Sequence, residues 1–306
     1  MRALITGADG FVGLHLSDHL AAQGDEVIAS ATDITDRDAL IAAFADAEPD
    51  VVYHLAAQAD VGGSWDNAVE TLRVNVEGTL NTLDAARLAG AERVLAVTSA
   101  DIYGRVDPEE LPLTESQPIR PVSPYAASKG AADMMCLHAT LGRGLDVVRA
   151  RSFNHLGPGQ SDRFVASAMA SRIVAAENSG ESCVRVGNLA ARRDFTDVRD
   201  VVRAYRLLMV GGVAGEAYHV CSGVDRSIDE LAHILIDLAT IEINLEPDPE
   251  LLRPVDLMVL RGDNSKLRER TGWAPEISIE TTLHDLLQHW RAQSNPIFSP
   301  ENRGPS

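Results

Sequence analysis

Thr6-Gly7-Ala8-Asp9-Gly10-Phe11-Val12-Gly13 follows a short apolar run, Arg2–Thr6 (RALIT), and leads into Phe11–Gln23, an amphipathic stretch that reads as a helix. A glycine-rich turn between a strand and a helix lets the backbone approach a pyrophosphate closely. It also aims the free N–H groups and partial positive charge of the helix N-terminus at that anion. The spacing is G-x-x-G-x-x-G rather than G-x-G-x-x-G, and a glycine triplet by itself is weak evidence. This one occupies the strand-to-helix junction that a dinucleotide-binding loop requires. Gly7, Gly10, Phe11, Val12 and Gly13 are therefore the expected cofactor contacts.

Outward from that loop the same alternation continues. Glu26–Ser30 reads as a strand, Asp36–Ala45 as a helix, Asp50–Leu55 as a strand and Asn67–Ala89 as one long helix. Arg93–Ser99 is a strand, Pro124–Leu141 a helix and Asp146–Ala150 a strand. β-Branched strands alternating with helices imply a parallel sheet covered on both faces, and right-handed crossovers make it doubly wound. The expected fold class is α/β, a Rossmann doubly wound parallel sheet with a smaller C-terminal substrate-binding lobe. Residues 1–152 form the dinucleotide-binding part, with 190–220 returning to it. Residues 153–189 and 221–293 form the lobe, in which Ile228–Ala239 and Ile279–Arg291 read as helices. The Pro/Ser/Asn-rich stretch 294–306 reads as a frayed tail.

Composition narrows the partners. The chain has 306 residues, 45% hydrophobic and 24% charged, with a net charge of -18. No Lys/Arg run offers a nucleic-acid surface, and an anionic ligand must be met by locally placed arginines. The three cysteines, Cys136, Cys183 and Cys221, are far apart and lack metal-ligand spacing, so no metal site and no disulfide framework is expected. No stretch approaches the ~20 apolar residues of a membrane span, and Met1 runs directly into a strand. The expectation is a cytoplasmic protein with no membrane partner.

Tyr125-Ala126-Ala127-Ser128-Lys129 sets a tyrosine and a lysine on one helix face. A phenol near pKa ~10 is a poor acid–base at neutral pH. A neighbouring ammonium and a positively charged nicotinamide favour the phenolate and lower that value. Thr98 and Ser99 end a strand, where ligands bind in such sheets, so Ser99 can hydrogen-bond the same substrate oxygen as Tyr125. At the end of the second strand Ser30-Ala31-Thr32 lacks the carboxylate that holds the ribose of NAD, and no arginine follows at once. Asp33 is read as facing the adenine. The cofactor is NADPH or NADH, with a lean to NADPH.

Gly7–Gly13, His54-Leu55-Ala56-Ala57-Gln58-Ala59, Asn75, Ser99 and the Tyr125/Lys129 pair together resemble the extended short-chain dehydrogenase/reductase family over nearly the whole chain. Its members are epimerases, dehydratases and reductases of nucleotide sugars. The resemblance implies catalytic roles for Ser99, Tyr125 and Lys129, and adds Asp33, Ile34, Leu55, Ala56, Ala57 and Thr98 to the cofactor contacts. Dehydratases of the family carry a carboxylate pair, or Glu beside Thr or Ser, after the fourth strand. Ala100-Asp101 leaves that machinery incomplete, and Asp101 is read either as orienting substrate hydroxyls or as capping the next turn.

The second half is similar to the branch that reduces GDP-4-dehydro-6-deoxy-mannose to GDP-rhamnose. The similarity is carried by Arg151–Gln160 (RSFNHLGPGQ), Phe164-Val165, Val186-Gly187-Asn188, Arg193–Val198 (RDFTDV), Ala217–Gly223, Leu252–Asp256 and Gly262–Leu267. It implies a GDP-sugar substrate. Asn154, Arg193 and Arg253 would contact the diphosphate or ribose, and Phe164, Val165 and Val186 the guanine. Gln58 and Asp60 would face sugar hydroxyls, and Tyr125 would protonate the C4 oxygen as hydride reaches C4. The competing readings are a nucleotide-sugar 4-epimerase with tightly held NAD and a GDP-mannose 4,6-dehydratase. A homodimer is expected through the helices at 67–89 and 124–141, with Ala126, Ala127, Ala131 and Ala132 allowing close approach.

Overall fold

Short β-branched runs form strands because their branched side chains pack well on a pleated surface, and the computed structural model describes residues 1–251 and 257–294. In chain order the first half gives β1 (Arg2–Thr6), α1 (Phe11–Ala22), β2 (Glu26–Ser30), α2 (Arg37–Ala47) and β3 (Val51–His54). Then come α3 (Ala68–Leu72), α4 (Gly78–Leu88), β4 (Arg93–Ser99), α5 (Pro124–Arg143) and β5 (Val147–Ser152). The second half contains β6 (Asn154–Leu156), α6 (Val165–Ser179), β7 (Cys183–Val186), β8 (Arg192–Asp197), α7 (Val198–Gly211) and β9 (Ala217–Val220). It ends with β10 (Asp225–Ser227), α8 (Ile228–Asp237), β11 (Asn244–Pro247), β12 (Val259–Leu260), α9 (Ser265–Thr271) and α10 (Ile279–Ser294).

The main sheet is six-stranded and parallel, in the order β2-β1-β3-β4-β5-β9. Apolar residues fill both faces. Leu16, Leu20, Val201, Tyr205 and Leu208 of α1 and α7 cover one; Leu40, Phe44, Leu83 and Cys136 of α2, α4 and α5 cover the other. The fold is the doubly wound α/β sheet expected from the alternation. Because β1 lies between β2 and β3, the helices that leave β1 and β3 run on opposite faces. A crevice opens at the carboxyl ends of those two strands.

The second lobe is built on a four-stranded sheet, β10-β8-β12 with β6 beside β8, and on the parallel pair β11–β7. Helices α6, α8 and α10 pack a second core there around Ala170, Ile173, Leu231, Leu235 and Leu286. The stretch 190–220, expected to return to the main sheet, divides between the lobes. Arg192–Asp197 is β8 of the lobe, whereas α7 and β9 pack on and extend the main sheet. Among the described residues no helix is long and apolar enough to cross a membrane.

The long helix expected over Asn67–Ala89 is broken by a π-helical turn, Arg73–Glu77, between α3 and α4. The wide turn turns Asn75 inward, where it is buried. Its Oδ1 accepts from the Gln58 backbone N–H at 2.8 Å, and its Nδ2 donates to the Gln58 carbonyl at 3.1 Å and to Ser128 Oγ at 2.8 Å. Such turns concentrate at functional sites. This one ties the segment after β3 to α5, the helix that carries Tyr125 and Lys129.

One helical turn beyond Lys129, the fully buried Asp133 binds two guanidiniums of β5. Its oxygens accept from Arg149 at 2.5 Å, from Arg151 at 2.8 and 3.0 Å, and from Thr98 Oγ1 at 3.2 Å. Arg151 also donates to the Tyr103 hydroxyl at 2.8 Å, which shares a 2.6 Å bond with His219 Nε2. Burial, followed by the nearby Arg151 charge, pushes His219 down to about 3, so it stays neutral. The network joins α5, the β4–β5 ends and the edge strand β9.

Candidate active site

At the crevice between β1 and β3, Gly7 adopts φ +72°, and a Cβ there would come within 2.9 Å of the Ala56 backbone. A Cβ on Gly13 would come within 2.2 Å of the Gly7 carbonyl oxygen. Both positions therefore accept only hydrogen. Gly10 caps α1 without a side-chain hydrogen bond, leaving the first-turn amides toward the cleft. This donor set, with the backbone brought close, suits a pyrophosphate. The cleft has a volume of about 640 Å³ and is lined on this wall by Gly7, Gly10, Phe11, Val12 and Gly13. Leu55, Ala56 and Ala57 line it after β3, Thr98 and Ser99 at the end of β4, and Tyr125 and Lys129 from α5.

Asp33 and Ile34 are not among the residues lining this cleft. Ile34 is buried in the core against Gly78, its carbonyl accepting from Asn81 Nδ2 at 3.0 Å. Asp33 accepts from the Thr35 backbone N–H at 2.8 Å and from Thr35 Oγ1 at 2.9 Å, in a separate shallow depression with Arg37 and Arg73. Asp36, which follows, caps α2, its Oδ1 accepting from the Ala39 N–H at 3.1 Å.

Tyr125 and Lys129 are both buried. Lys129 Nζ donates to the Val97 carbonyl at 3.0 Å, and burial pushes it down to about 8. The Tyr125 hydroxyl stands above the ordinary phenol value in the chain itself, whereas the expected lowering also invokes the charge of a nicotinamide. Burial, and then the Asp101 carboxylate, hold its hydroxyl above the ordinary phenol value, while a hydrogen bond with Ser99 pulls the other way. Asp101 opens a short 3-10 turn, Ala100–Tyr103, with its N–H bonded to Ser99 Oγ at 3.2 Å. Its residue lines both the cofactor cleft and the next cavity.

That cavity, about 630 Å³, is lined by Gln58, Asp60, Trp65, Asp101, Asn154 and Arg193, among others. A third, about 300 Å³, continues from it between α6 and the β7–β8 connection. Phe164, Val165, Val186, Asn154 and Arg193 line it. The structure thus brings Asn154 and Phe164 to all three cavities. Arg253 lies outside the described residues.

Several residues that sequence reasoning left without a role also shape the site. Ser64 Oγ accepts from the Tyr125 backbone N–H at 3.2 Å and donates to the Val61 carbonyl at 2.7 Å, anchoring the loop after β3 to the start of α5. The His155 ring stacks on Phe11 at 6.2 Å, and His15 Nε2 bonds the Pro158 carbonyl at 2.8 Å, closing the lobe over the glycine loop. Asn75 could have been found, since it was among the residues carrying the resemblance. Isolated residues such as Ser64, Trp65 and Arg163 have no sequence signal, because only folding brings them to the cavities.

Residues 29–286 match the family model described as GDP-mannose 4,6 dehydratase. The chain is 38% identical to the GDP-6-deoxy-D-mannose reductase of Pseudomonas aeruginosa, over 95% of this chain and 98% of that protein. It is 33% identical to the UDP-glucose 4-epimerase of Mycolicibacterium smegmatis, over 96% of this chain and all (100%) of that protein. A solved structure described as RMD from Pseudomonas aeruginosa complexed with NADPH superposes with a TM-score of 0.87 at 37% identity, covering 95% of this chain and 99% of that one. With a glycine-loop cleft, a Ser–Tyr–Lys wall and matches of this length, the chain belongs to the GDP-mannose 4,6 dehydratase family, within the extended short-chain dehydrogenase/reductases.

Proposed function

We propose that the protein reduces the 4-keto group of a nucleotide-linked 6-deoxyhexose, GDP-4-dehydro-6-deoxy-D-mannose in the first instance, to give GDP-D-rhamnose. The observation that carries this reading is that the cofactor cleft, which holds Ser99 and Tyr125, shares Asp101, Asn154 and Phe164 with the adjoining cavity that also contains Arg193. The similarity to the Pseudomonas reductase over 95% of the chain supports it. When bound in the cleft lined by Gly7, Gly10, Gly13, Tyr125 and Lys129, NADPH would supply the hydride for C4 of the sugar. Tyr125 donates its proton to the C4 oxygen, and Ser99 hydrogen-bonds the same oxygen. Lys129 would hold the cofactor ribose and lend its charge to the proton transfer. The reductant is NADPH by preference. In support, Ser30-Ala31-Thr32 sets no carboxylate against a 2′-phosphate, and the similar reductase structure is described with NADPH.

The epimerase is the second reading, favoured by the mycobacterial relative. Purified protein mixed with NADPH and fresh GDP-4-dehydro-6-deoxy-mannose is expected to oxidise the cofactor and form GDP-rhamnose, identified by NMR. Conversion of a UDP-sugar or GDP-mannose without added reductant, with no NADPH oxidation, overturns the proposal.

Lys129 carries its charge below about 8 and loses it above. Affinity for NADPH in the sugar-free enzyme is therefore expected to fall as pH rises through that value. In Lys129→Met, fluorescence titration at pH 6.5 to 9.5 should show weaker binding without that inflection. An identical inflection in the mutant would assign it to another group.

We infer a homodimer through α3, α4 and α5. The outer face of α5 carries Ala127, Ala131, Met134, His138 and Leu141 at helical spacing, and α3 adds the exposed Val69 and Leu72. Ala126 and Ala132, expected at that contact, are buried within the subunit instead. Light scattering should give twice the 32.9 kDa chain mass, and Met134→Glu with Leu141→Glu should return a monomer.

A further inference from the structure

Arg163 lines the wall between the second and third cavities, together with Asn154, Phe164 and Arg193. It does not line the cofactor cleft. A nucleotide sugar that fills both cavities, hexose in one and base in the other, must thread its diphosphate past this wall. Arg163 is exposed, and among the described residues no carboxylate pairs with its guanidinium. In a chain of net charge -18, long-range electrostatics repel a diphosphate, so the attraction must come from cations at the wall itself. A guanidinium fork matches phosphate oxygens with two parallel N–H donors.

We propose that Arg163 binds the diphosphate of the nucleotide sugar, acting with Arg193 as a two-arginine clamp between the hexose and base cavities. The inference rests on the nucleotide-sugar reading above and adds a residue that neither motif nor spacing singles out. Arg163 lies three residues past Gln160, on the turn before α6, and its side chain reaches the wall only once α6 packs in the lobe.

Calorimetric titration with GDP, GMP and NADPH tests it on wild type, Arg163→Met and Arg163→Lys. Arg163→Met keeps most of the aliphatic stem and removes the charge. It is expected to weaken GDP binding by roughly 10- to 100-fold, the scale of hydrogen bonds to a charged group. It should also erase most of the preference for GDP over GMP and leave NADPH affinity within about twofold. Arg163→Lys should fall between, keeping charge without the fork. GDP binding by Arg163→Met within twofold of wild type overturns the assignment. So does an equal loss for NADPH, which would mark a general structural role. Wild type that binds NADPH but neither GDP nor UDP overturns the nucleotide-sugar reading itself, and the clamp with it.

Discussion

Tyr125→Phe is expected to lower kcat for keto-sugar reduction by roughly 10²- to 10⁴-fold, the range of a positioned general acid, with NADPH affinity unchanged. The ring of Tyr125 is buried in the wall of the cofactor cleft. Removing only its oxygen keeps that packing, so the fold should survive. The hydroxyl's partner Ser99 keeps its bond to the Asp101 N–H at 3.2 Å, so the oxygen-binding wall remains. Because burial and Asp101 hold the phenol protonated, the wild-type reduction rate should show no loss of the donor across the neutral range. The reverse oxidation should accelerate as pH rises. Single-turnover mixing with NADPH and the keto-sugar measures the step directly. Turnover in Tyr125→Phe within tenfold of wild type would remove Tyr125 from proton transfer.

The largest expected effect on stability is at Asp133. Its carboxylate is fully buried between Arg149 and Arg151. Burial by itself pushes it up, and the two guanidiniums more than reverse that, holding it below the usual carboxylate range. Asp133→Asn leaves the two desolvated guanidiniums without the carboxylate that both bind. Breaking a buried pair from one side costs about 3–5 kcal/mol, equivalent to a fall in Tm on the order of 10 °C in a chain of this size. The sign with pH follows from the lowered value. The wild-type advantage is present above the unfolded carboxyl pKa of about 4 and is lost as pH falls through the folded one. Urea titrations at pH 7 and pH 3.5 should therefore show a large gap that narrows in acid. A Tm within about 3 °C of wild type at pH 7 would show that the pair contributes little net.

The first half was legible because each element carries its own signal. RALIT, EVIAS and RVLAVTS are strands wherever they are placed, and the glycine loop must sit between a strand and a helix to function. Ser99, Tyr125 and Lys129 could be picked out because a short motif sets a strand end and one helix face. The lobe was less readable. β6, β8 and β12 are short strands of Asn, Arg and Asp as well as apolar residues, and they become a sheet only by pairing across the chain. Within the long helix no residue announces the π turn at Arg73–Glu77. It is held by what Asn75 bonds, the Gln58 backbone and Ser128, 17 and 53 positions away.

The sequence alone determined the doubly wound sheet, the glycine-loop cleft and the Tyr–Lys helix, since local periodicity and steric demands on glycine act over a few residues. Tertiary packing decided the rest. It buried Ile34 against Gly78, with its carbonyl accepting from Asn81 Nδ2, 47 positions away in the chain. It surrounded the Tyr125 hydroxyl with protein and so raised it, because desolvation depends on what surrounds a group and not on its neighbours in the chain. It also set Arg163 beside Arg193 and Asn154, side chains brought together only when the lobe's helix and sheet close around one cavity.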